Sequence, residues 1–279
     1  MHGKICMVTG ANSGIGKATA LGLAKLGATV VMICRNPSKG EIAMAEIKAK
    51  SGNESVALMI ADLSSQQSIR QLTRDFEDKY QHLHVLVNNA GGIFYNRSVT
   101  EDGLEYTFAL NHLSYFLLTN LLLDLLKASA PARVVNVSTR LRNGVTINFD
   151  DLQGEKRYSS IQAYNQSKLA NILFTYELAR KLENTGITTN VVFPGVVRSN
   201  FGKEAPLGFR LLGMVFRPFI ASPEKAAEKT IYLARSSEVE GISGKYFVSN
   251  KETRSPEQSY DGAVARRLWQ ISAELTKLS

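Results

Sequence analysis

Cysteine is nearly absent: Cys6 and Cys34 are the only two. Both fall inside predicted strands, and neither has a Cys-x-x-Cys or metal-ligand spacing. A disulfide framework is therefore argued against, and no metal site is expected. A reduced, cytoplasmic setting is the expectation. Long hydrophobic runs are missing as well. The most apolar stretch, 116–126, is broken by Thr119, Asn120 and Asp124, and it is too short to span a bilayer. No signal peptide is expected, because the first strand begins almost at once. No basic cluster is interleaved with aromatics, which argues against nucleic acid. The net charge of +8 and the pI near 9.4 suit an anionic ligand or surface, or simply a basic soluble protein. No repeat, linker or low-complexity tract divides the 279 residues. At 44% apolar and 21% charged, the chain reads as a single large α/β domain of ordinary composition.

What is present begins as strand, glycine-rich turn and helix: Ile5 to Val8, then Thr9-Gly10-Ala11-Asn12-Ser13-Gly14-Ile15-Gly16, then small and apolar residues at helical spacing from Lys17 to Leu26. Glycines let a backbone approach a pyrophosphate, and a helix N-terminus offers free N–H groups and partial positive charge. The spacing is Gly-x-x-x-Gly-x-Gly rather than the commoner Gly-x-Gly-x-x-Gly. In this strand-to-helix context it predicts dinucleotide binding by Gly10, Asn12, Ser13, Gly14, Ile15 and Gly16. The next strand, Thr29 to Cys34, ends where an NAD-binding unit places an acidic residue on the ribose. Here that slot holds Cys34, followed by Arg35. A neutral residue and then a guanidinium suit a 2′-phosphate, so NADP(H) is predicted over NAD(H). Lys17 and Lys39 are either helpers at that phosphate or solvated helix charges.

A helix over 39–51 and a strand from Val56 to Ala61 lead to Asp62-Leu63. Asp62 either accepts from an adenine amino group or caps the next helix, a role open also to Ser64 and Ser65. After that helix, 67–80, a fourth strand (Leu83 to Val87) closes on Asn88-Asn89-Ala90-Gly91. Small residues there admit a flat ring, and the asparagines can tie strands together. The helix predicted over 104–127 carries Asn111, which is unfavourable by propensity. Asn111 is expected to hold a water, kink the helix or bond within the core. The leucine-rich half beyond it is apolar on nearly all sides and fits burial between the sheet and another subunit. The fifth strand, Arg133 to Val137, ends in Ser138-Thr139, at the edge where parallel sheets bind ligands. The sixth, Thr188 to Phe193, ends in Pro194-Gly195-Val196-Val197-Arg198-Ser199, a turn suited to the carboxamide end of a cofactor. Ser222-Pro223 starts a helix, Lys245 to Val248 is a seventh strand, and 263–278 a last amphipathic helix.

Within a helix predicted from Gln162 to Leu182, Tyr164 precedes Lys168 by four residues, so both side chains share one face. A free phenol titrates near about 10, and nearby positive charge favours the phenolate. Lowering it by roughly three units takes about 4 kcal/mol. Such a tyrosine is a proton donor and acceptor near neutral pH. By itself the pair is commonplace on surface helices; its weight comes from the motifs before it.

Together these motifs resemble the short-chain dehydrogenase/reductase family over nearly the whole chain: Thr9-Gly10-x-x-x-Gly14-x-Gly16, Asn88-Asn89-Ala90-Gly91, Asn111, Tyr164-x-x-x-Lys168 and Pro194-Gly195. Within it the chain is most similar to the retinol dehydrogenase group, through Gly14-Ile15-Gly16-Lys17, Cys34-Arg35, Asn148-Phe149-Asp150-Asp151-Leu152, Tyr164-x-x-Ser167-Lys168-Leu169-Ala170-Asn171 and Pro194-Gly195-Val196-Val197-Arg198-Ser199. The resemblance implies a Rossmann-type doubly wound fold, a seven-stranded parallel sheet flanked by helices. It implies Tyr164 as general acid/base, Lys168 lowering its pKa and binding the nicotinamide ribose, and Asn111 holding a relay water. Where the family usually has a second, catalytic serine, this sequence has Thr139. Threonine keeps the hydroxyl but adds a methyl and a stiffer χ1, so Thr139 is expected to orient substrate in a changed pocket. Cofactor contacts are expected from Arg35, Asp62, Leu63, Asn89, Ala90, Gly91, Ser138, Tyr164, Lys168, Pro194, Gly195 and Val197. Animal members of the group begin with a hydrophobic anchor, whereas this chain opens on a strand, and a soluble form is expected.

These readings amount to NADP(H)-dependent hydride transfer between the nicotinamide and a carbonyl or alcohol. The segment 199–221, rich in Phe and Leu with Met214, Arg210 and Arg217 among them, reads as a lid for a lipophilic or retinoid-like substrate. Its alternatives are core cover and a peripheral membrane contact. The enzymatic alternative is a hydroxysteroid or small-ketone reductase, and the alternative of another class is a non-catalytic NADPH-sensing regulator. A homo-oligomer is expected through the apolar helix and the Tyr164 helix.

Overall fold

Apolar runs of four to seven residues, each ended by a turn, stack into one central sheet. The computed structural model describes residues 1–195 and 221–278. Its strands are β1 Ile5–Thr9, β2 Thr29–Cys34, β3 Val56–Ile60, β4 Val85–Asn88, β5 Ala132–Val137, β6 Ile187–Phe193 and β7 Lys245–Val248, all parallel, as predicted. With a short β8, Lys251–Glu252, the strand order is β3-β2-β1-β4-β5-β6-β7-β8, the doubly wound arrangement with its switch point between β1 and β4.

The seven-stranded expectation is one strand short. β8, Lys251–Glu252, pairs antiparallel with β7. Ser249 and Asn250 between them both have positive φ (51° and 62°), the left-handed pair of a two-residue hairpin. Two exposed, charged residues carry no apolar alternation, so this strand has no signature in the sequence.

Strand periodicity divides the core. Cys6, Val8, Val30, Met32 and Cys34 face one side, with α1 (Gly14–Lys25), α2 (Pro37–Ser51) and α8 (Pro223–Arg235). Met7, Val31 and Ile33 face the other. That face carries α3 (Gln66–Lys79), α4 (Tyr106–Phe108), α5 (Ser114–Leu121), α6 (Leu123–Ala128), α7 (Ser160–Lys181) and α9 (Gly262–Leu275).

The helix expected over 104–127 is not continuous. Between α4 and α5 the segment Ala109–Leu113 is a π-turn, in which the Ser114 N–H bonds five residues back to the Ala109 carbonyl. Asn111 sits in that turn. A second break comes at Leu122, just after the Asn120 side chain takes the Phe116 carbonyl at 2.7 Å and competes with the helix ladder. Leu117, Leu118, Leu122 and Leu126 are buried, while Leu121, Leu123 and Leu125 are half-buried against the same core.

The last helix, α9, closes over α5 and α7. The Trp269 ring meets Phe116 edge-on at 4.9 Å and stacks on Phe174 at 5.7 Å. Lys181 Nζ lies 4.8 Å from its centroid. Part of the surface expected to meet a second subunit is thus covered by the chain itself. Beneath Trp269, His112 Nδ1 donates to Asn171 Oδ1 and its Nε2 accepts from Ser272 Oγ. Burial holds this imidazole at about 4, hence neutral. Among the described residues no helix is long and apolar enough to cross a membrane, and no cluster of three or more His, Cys, Asp or Glu is placed to hold a metal.

The aromatic cluster fixes α9, so Phe116→Ala should cost about 3–5 kcal/mol. Urea unfolding followed by the fluorescence of Trp269, the only tryptophan, measures it. A loss under about 1 kcal/mol would show that the cluster contributes no more than an ordinary surface contact.

Candidate active site

The glycine turn lies at the carboxyl edge of β1 and is built by close approach. Gly16 has no room for a side chain: a Cβ there would lie 2.3 Å from the Gly10 carbonyl oxygen and 2.5 Å from Asn89 Nδ2. Gly10 and Gly14 have φ of 66° and 55°, which favours glycine. The turn is tied to the end of β4: Asn89 Nδ2 donates to the Thr9 carbonyl at 2.8 Å, and Thr9 Oγ1 accepts from the backbone N–H groups of Asn89 and Ala90. Ser13 stands at the N-cap of α1 and makes no side-chain cap, unlike Asn36, Ser65, Ser222 and Asp261 on α2, α3, α8 and α9. Among the described residues nothing takes the first N–H groups of α1, beside Asn12, Ser13, Gly14 and Ile15. This donor set fits a pyrophosphate.

Past β2, the Arg35 side chain is 66% exposed. Its Nη1 donates to the Tyr106 phenol oxygen at 2.6 Å, with Asp62 Oδ2 at 4.0 Å. Cys34, in the slot of an acidic residue, is buried, and burial pushes its thiol up to about 11. It is a neutral group there. Asp62 turns on Ser64, accepting from its N–H and hydroxyl, while Ser65 caps α3. The Leu63 side chain packs in the core. Lys17 is paired with Glu46 at 2.8 Å, so of its two readings the helix charge fits.

Tyr164, Lys168 and Thr139 converge where β5 ends against α7. The Thr139 hydroxyl is hydrogen-bonded to the Tyr164 phenol. Lys168 is buried, donates to the Val137 carbonyl at 3.2 Å and lies 6.0 Å from the Tyr164 ring centroid. Desolvation lowers its ammonium from 10.5 to about 7. The expected depression of the phenol is absent in the protein alone. Burial pushes Tyr164 above its ordinary value, and the Thr139 hydroxyl draws it only partly back. A lysine that has itself lost its water is a weak source of positive charge near neutrality. Ser138 is committed to structure, its hydroxyl donating to the Lys168 carbonyl at 2.8 Å.

Asn111 bonds within the core. Its Oδ1 accepts from the Gly92 N–H at 2.8 Å, and its Nδ2 donates to the Gly92 carbonyl and to Ser167 Oγ. Ser167 Oγ donates in turn to the Tyr164 carbonyl. The main-chain oxygen of Asn111 accepts from Asn171 Nδ2 at 2.9 Å. A Cβ on Gly91 would stand 2.8 Å from Asn111 Oδ1 and 3.5 Å from Lys168 Nζ, so only glycine fits there. The Pro194 carbonyl accepts from Lys229 Nζ at 2.7 Å, and Gly195 follows with φ 101°. Val197 and nearly all of the lid segment 199–221, from Ser199 to Ile220, lie outside the described residues.

Sequence reasoning passed over Tyr115. It stands four residues after Asn111, fully buried, with its ring centroid 5.5 Å from Lys168 Nζ and its hydroxyl without a hydrogen-bond partner among the described residues. The i, i+4 spacing from Asn111 is the signal that points to it. Tyr106 and Lys229 had no such signal, because their partners are distant in the chain. A cavity of about 640 Å³ opens at the opposite edge of the sheet, beside Lys4, His84, Arg133 and Arg235, and holds none of the predicted site residues.

An open glycine turn at the switch point, with a half-buried tyrosine and a buried lysine at the same edge of the sheet, marks a dinucleotide-binding α/β oxidoreductase. The short chain dehydrogenase family matches residues 4–207. The chain belongs to that family, oxidoreductases that act on alcohol and carbonyl groups with a nicotinamide cofactor, and to its retinol dehydrogenase group. Retinol dehydrogenase 14 of Homo sapiens is 45% identical over 100% of this chain and 88% of its own length. Retinol dehydrogenase 12 of Homo sapiens is 46% identical over 99% and 87%. Among solved structures, a Pseudomonas aeruginosa RhlG/NADP active-site complex superposes with TM-score 0.71 at 27% identity, covering 95% of this chain and 97% of that one. A protein from Mycobacterium Paratuberculosis superposes with TM-score 0.78 at 31% identity, covering 99% and 94%.

The low Lys168 value makes a stability prediction. Between about 7 and 10.5 the unfolded chain binds the proton that the folded chain has released. The burden of burying Lys168 is full below that window and fades as pH rises through it. Measured by urea unfolding, wild type should gain on Lys168→Met from pH 7 to 9, by up to about 1.4 kcal/mol per pH unit. A difference that stays constant with pH would refute the depressed lysine.

Proposed function

We propose that this protein is an NADP(H)-dependent reductase and dehydrogenase of a lipophilic, retinoid-like carbonyl/alcohol pair. The observation that carries this reading is the hydrogen bond between the half-buried Thr139 and Tyr164, beside the buried Lys168. Two hydroxyls meet there at the carboxyl edge of the sheet, both able to donate to one carbonyl oxygen. Tyr164 protonates the developing alkoxide in reduction, and Thr139 donates to the same oxygen. Lys168 would bind the nicotinamide ribose, and Asn111 holds Gly92 in the loop that the ring would approach. When bound, the nicotinamide supplies the hydride.

NADP(H) is favoured by the neutral, buried Cys34 and the exposed guanidinium of Arg35. A carboxylate in the Cys34 slot would repel a 2′-phosphate, and a thiol held near about 11 does not. The NADP complex among the similar structures supports the same choice. The lipophilic substrate rests on the retinol dehydrogenases among the relatives and on the apolar residues of 199–221. Two buried, unpaired thiols support a cytoplasmic setting.

The test is NADPH consumption against retinal, long-chain aldehydes, steroid ketones and small ketones, with NADH in parallel. Turnover should favour NADPH and the lipophilic carbonyls. Tyr164→Phe should bind NADPH as wild type does and lose about 10²–10⁴-fold in kcat. A mutant with near-wild-type turnover would remove Tyr164 from the mechanism, and a preference for NADH would remove Arg35 from cofactor choice.

A further inference from the structure

We propose that Tyr106 is a second ligand for the 2′-phosphate of the cofactor and, with Arg35, sets the preference for NADP(H). The proposal rests on the NADP(H) reading above. Arg35 and Tyr106 are 71 residues apart in sequence, yet Arg35 Nη1 donates to the Tyr106 phenol oxygen at 2.6 Å. Because the phenol accepts in this bond, its own proton is free to be given elsewhere. A guanidinium has five N–H donors, and this bond is the only one Arg35 makes among the described residues. The pair therefore offers an anion one O–H and several N–H groups from one place, just past the end of β2.

Arg35 keeps N–H groups available to an added anion. Asp62 Oδ2, at 4.0 Å, is beyond hydrogen-bond reach of Arg35, and Asp62 Oδ1 is held by Ser64. Cys34 adds no negative charge. Tyr106 Oη takes one N–H of the guanidinium and leaves the others to an anion. A long, exposed arginine otherwise loses side-chain freedom when it grips a phosphate, and prior anchoring reduces that loss.

Tyr106 is itself held in place. The Phe94 ring meets it edge-on, with centroids 4.6 Å apart and planes at 78°. Phe94 is pinned by its main-chain oxygen, which accepts from the Tyr158 hydroxyl at 2.9 Å. Tyr158 Oη also lies 3.2 Å from Thr107 Oγ1, in the residue after Tyr106. The phenol is thus a fixed post, and Arg35 is the arm that rests on it. A cofactor without the 2′-phosphate has nothing for this pair to hold.

The experiment is calorimetric titration with 2′,5′-ADP and 5′-ADP, which differ by the 2′-phosphate and need no turnover. Wild type should bind 2′,5′-ADP the more tightly. Tyr106→Phe, which keeps the ring on Phe94, should weaken 2′,5′-ADP about tenfold and leave 5′-ADP within about twofold. In an Arg35→Ala background the same change should have no more than about a twofold effect, because the two residues act as one unit. Unchanged or increased preference for 2′,5′-ADP in Tyr106→Phe overturns the proposal while leaving the NADP(H) reading standing. Equal weakening of both nucleotides also overturns it, since that is the mark of a structural role. A wild type that does not distinguish the two nucleotides overturns the NADP(H) reading and this proposal with it.

Discussion

One buried amide holds the site together. The Asn111 side chain bonds both the N–H and the carbonyl of Gly92 and also reaches Ser167, one turn beyond Tyr164. Buried polar groups must be paired, and each pairing here joins elements that the chain brings from far apart. The loop after β4, the π-turn and α7 are locked in one register by it. Asn111 is in position because the helix around it is π-helical, and Asn171 takes its main-chain oxygen. The same chain of bonds continues through Thr175 and Asn136 to Asn88 and Thr119, across β5 and β4. A row of small amides and hydroxyls thus runs through the middle of an otherwise apolar core.

Electrostatics follow from where water is excluded. Among the described residues Lys168 is buried without a carboxylate partner, and the resulting loss of basicity is the counterpart of a phenol pushed upward beside it. The protein alone prepares a neutral tyrosine, oriented by Thr139, rather than a phenolate. At the other end of the cleft, burial keeps Cys34 protonated, and the Arg35 side chain is exposed beside it.

Much of the architecture was legible from local rules. Apolar runs, the glycine turn and the Ser222-Pro223 cap marked seven strands and most helices to within a few residues. The tyrosine–lysine pair was readable because i, i+4 spacing is itself a statement about geometry. Legibility failed where neighbours in space are strangers in sequence. The helix over 104–127 reads as uninterrupted by composition, yet Gly92 and Asn171 stabilise a π-turn in it. The two-residue β8 exists only because β7 offers an edge. The helix α9 reads as merely amphipathic, and its apolar face proves to be docked through Trp269 onto Phe116 and Phe174.

The amino-acid sequence by itself determined the order of strands and helices, the open turn at the start of α1, and the presence of Tyr164, Lys168, Asn111 and Thr139 in one chain. Hydrophobic period, glycine conformation and helix caps act over a few residues, so these are written locally. Only the tertiary structure decided that Thr139 meets the Tyr164 phenol, that burial raises that phenol and lowers Lys168, and that Arg35 leans on Tyr106. Each of these depends on distance and on exclusion of water between segments up to 71 residues apart, and neither quantity exists until the chain has folded.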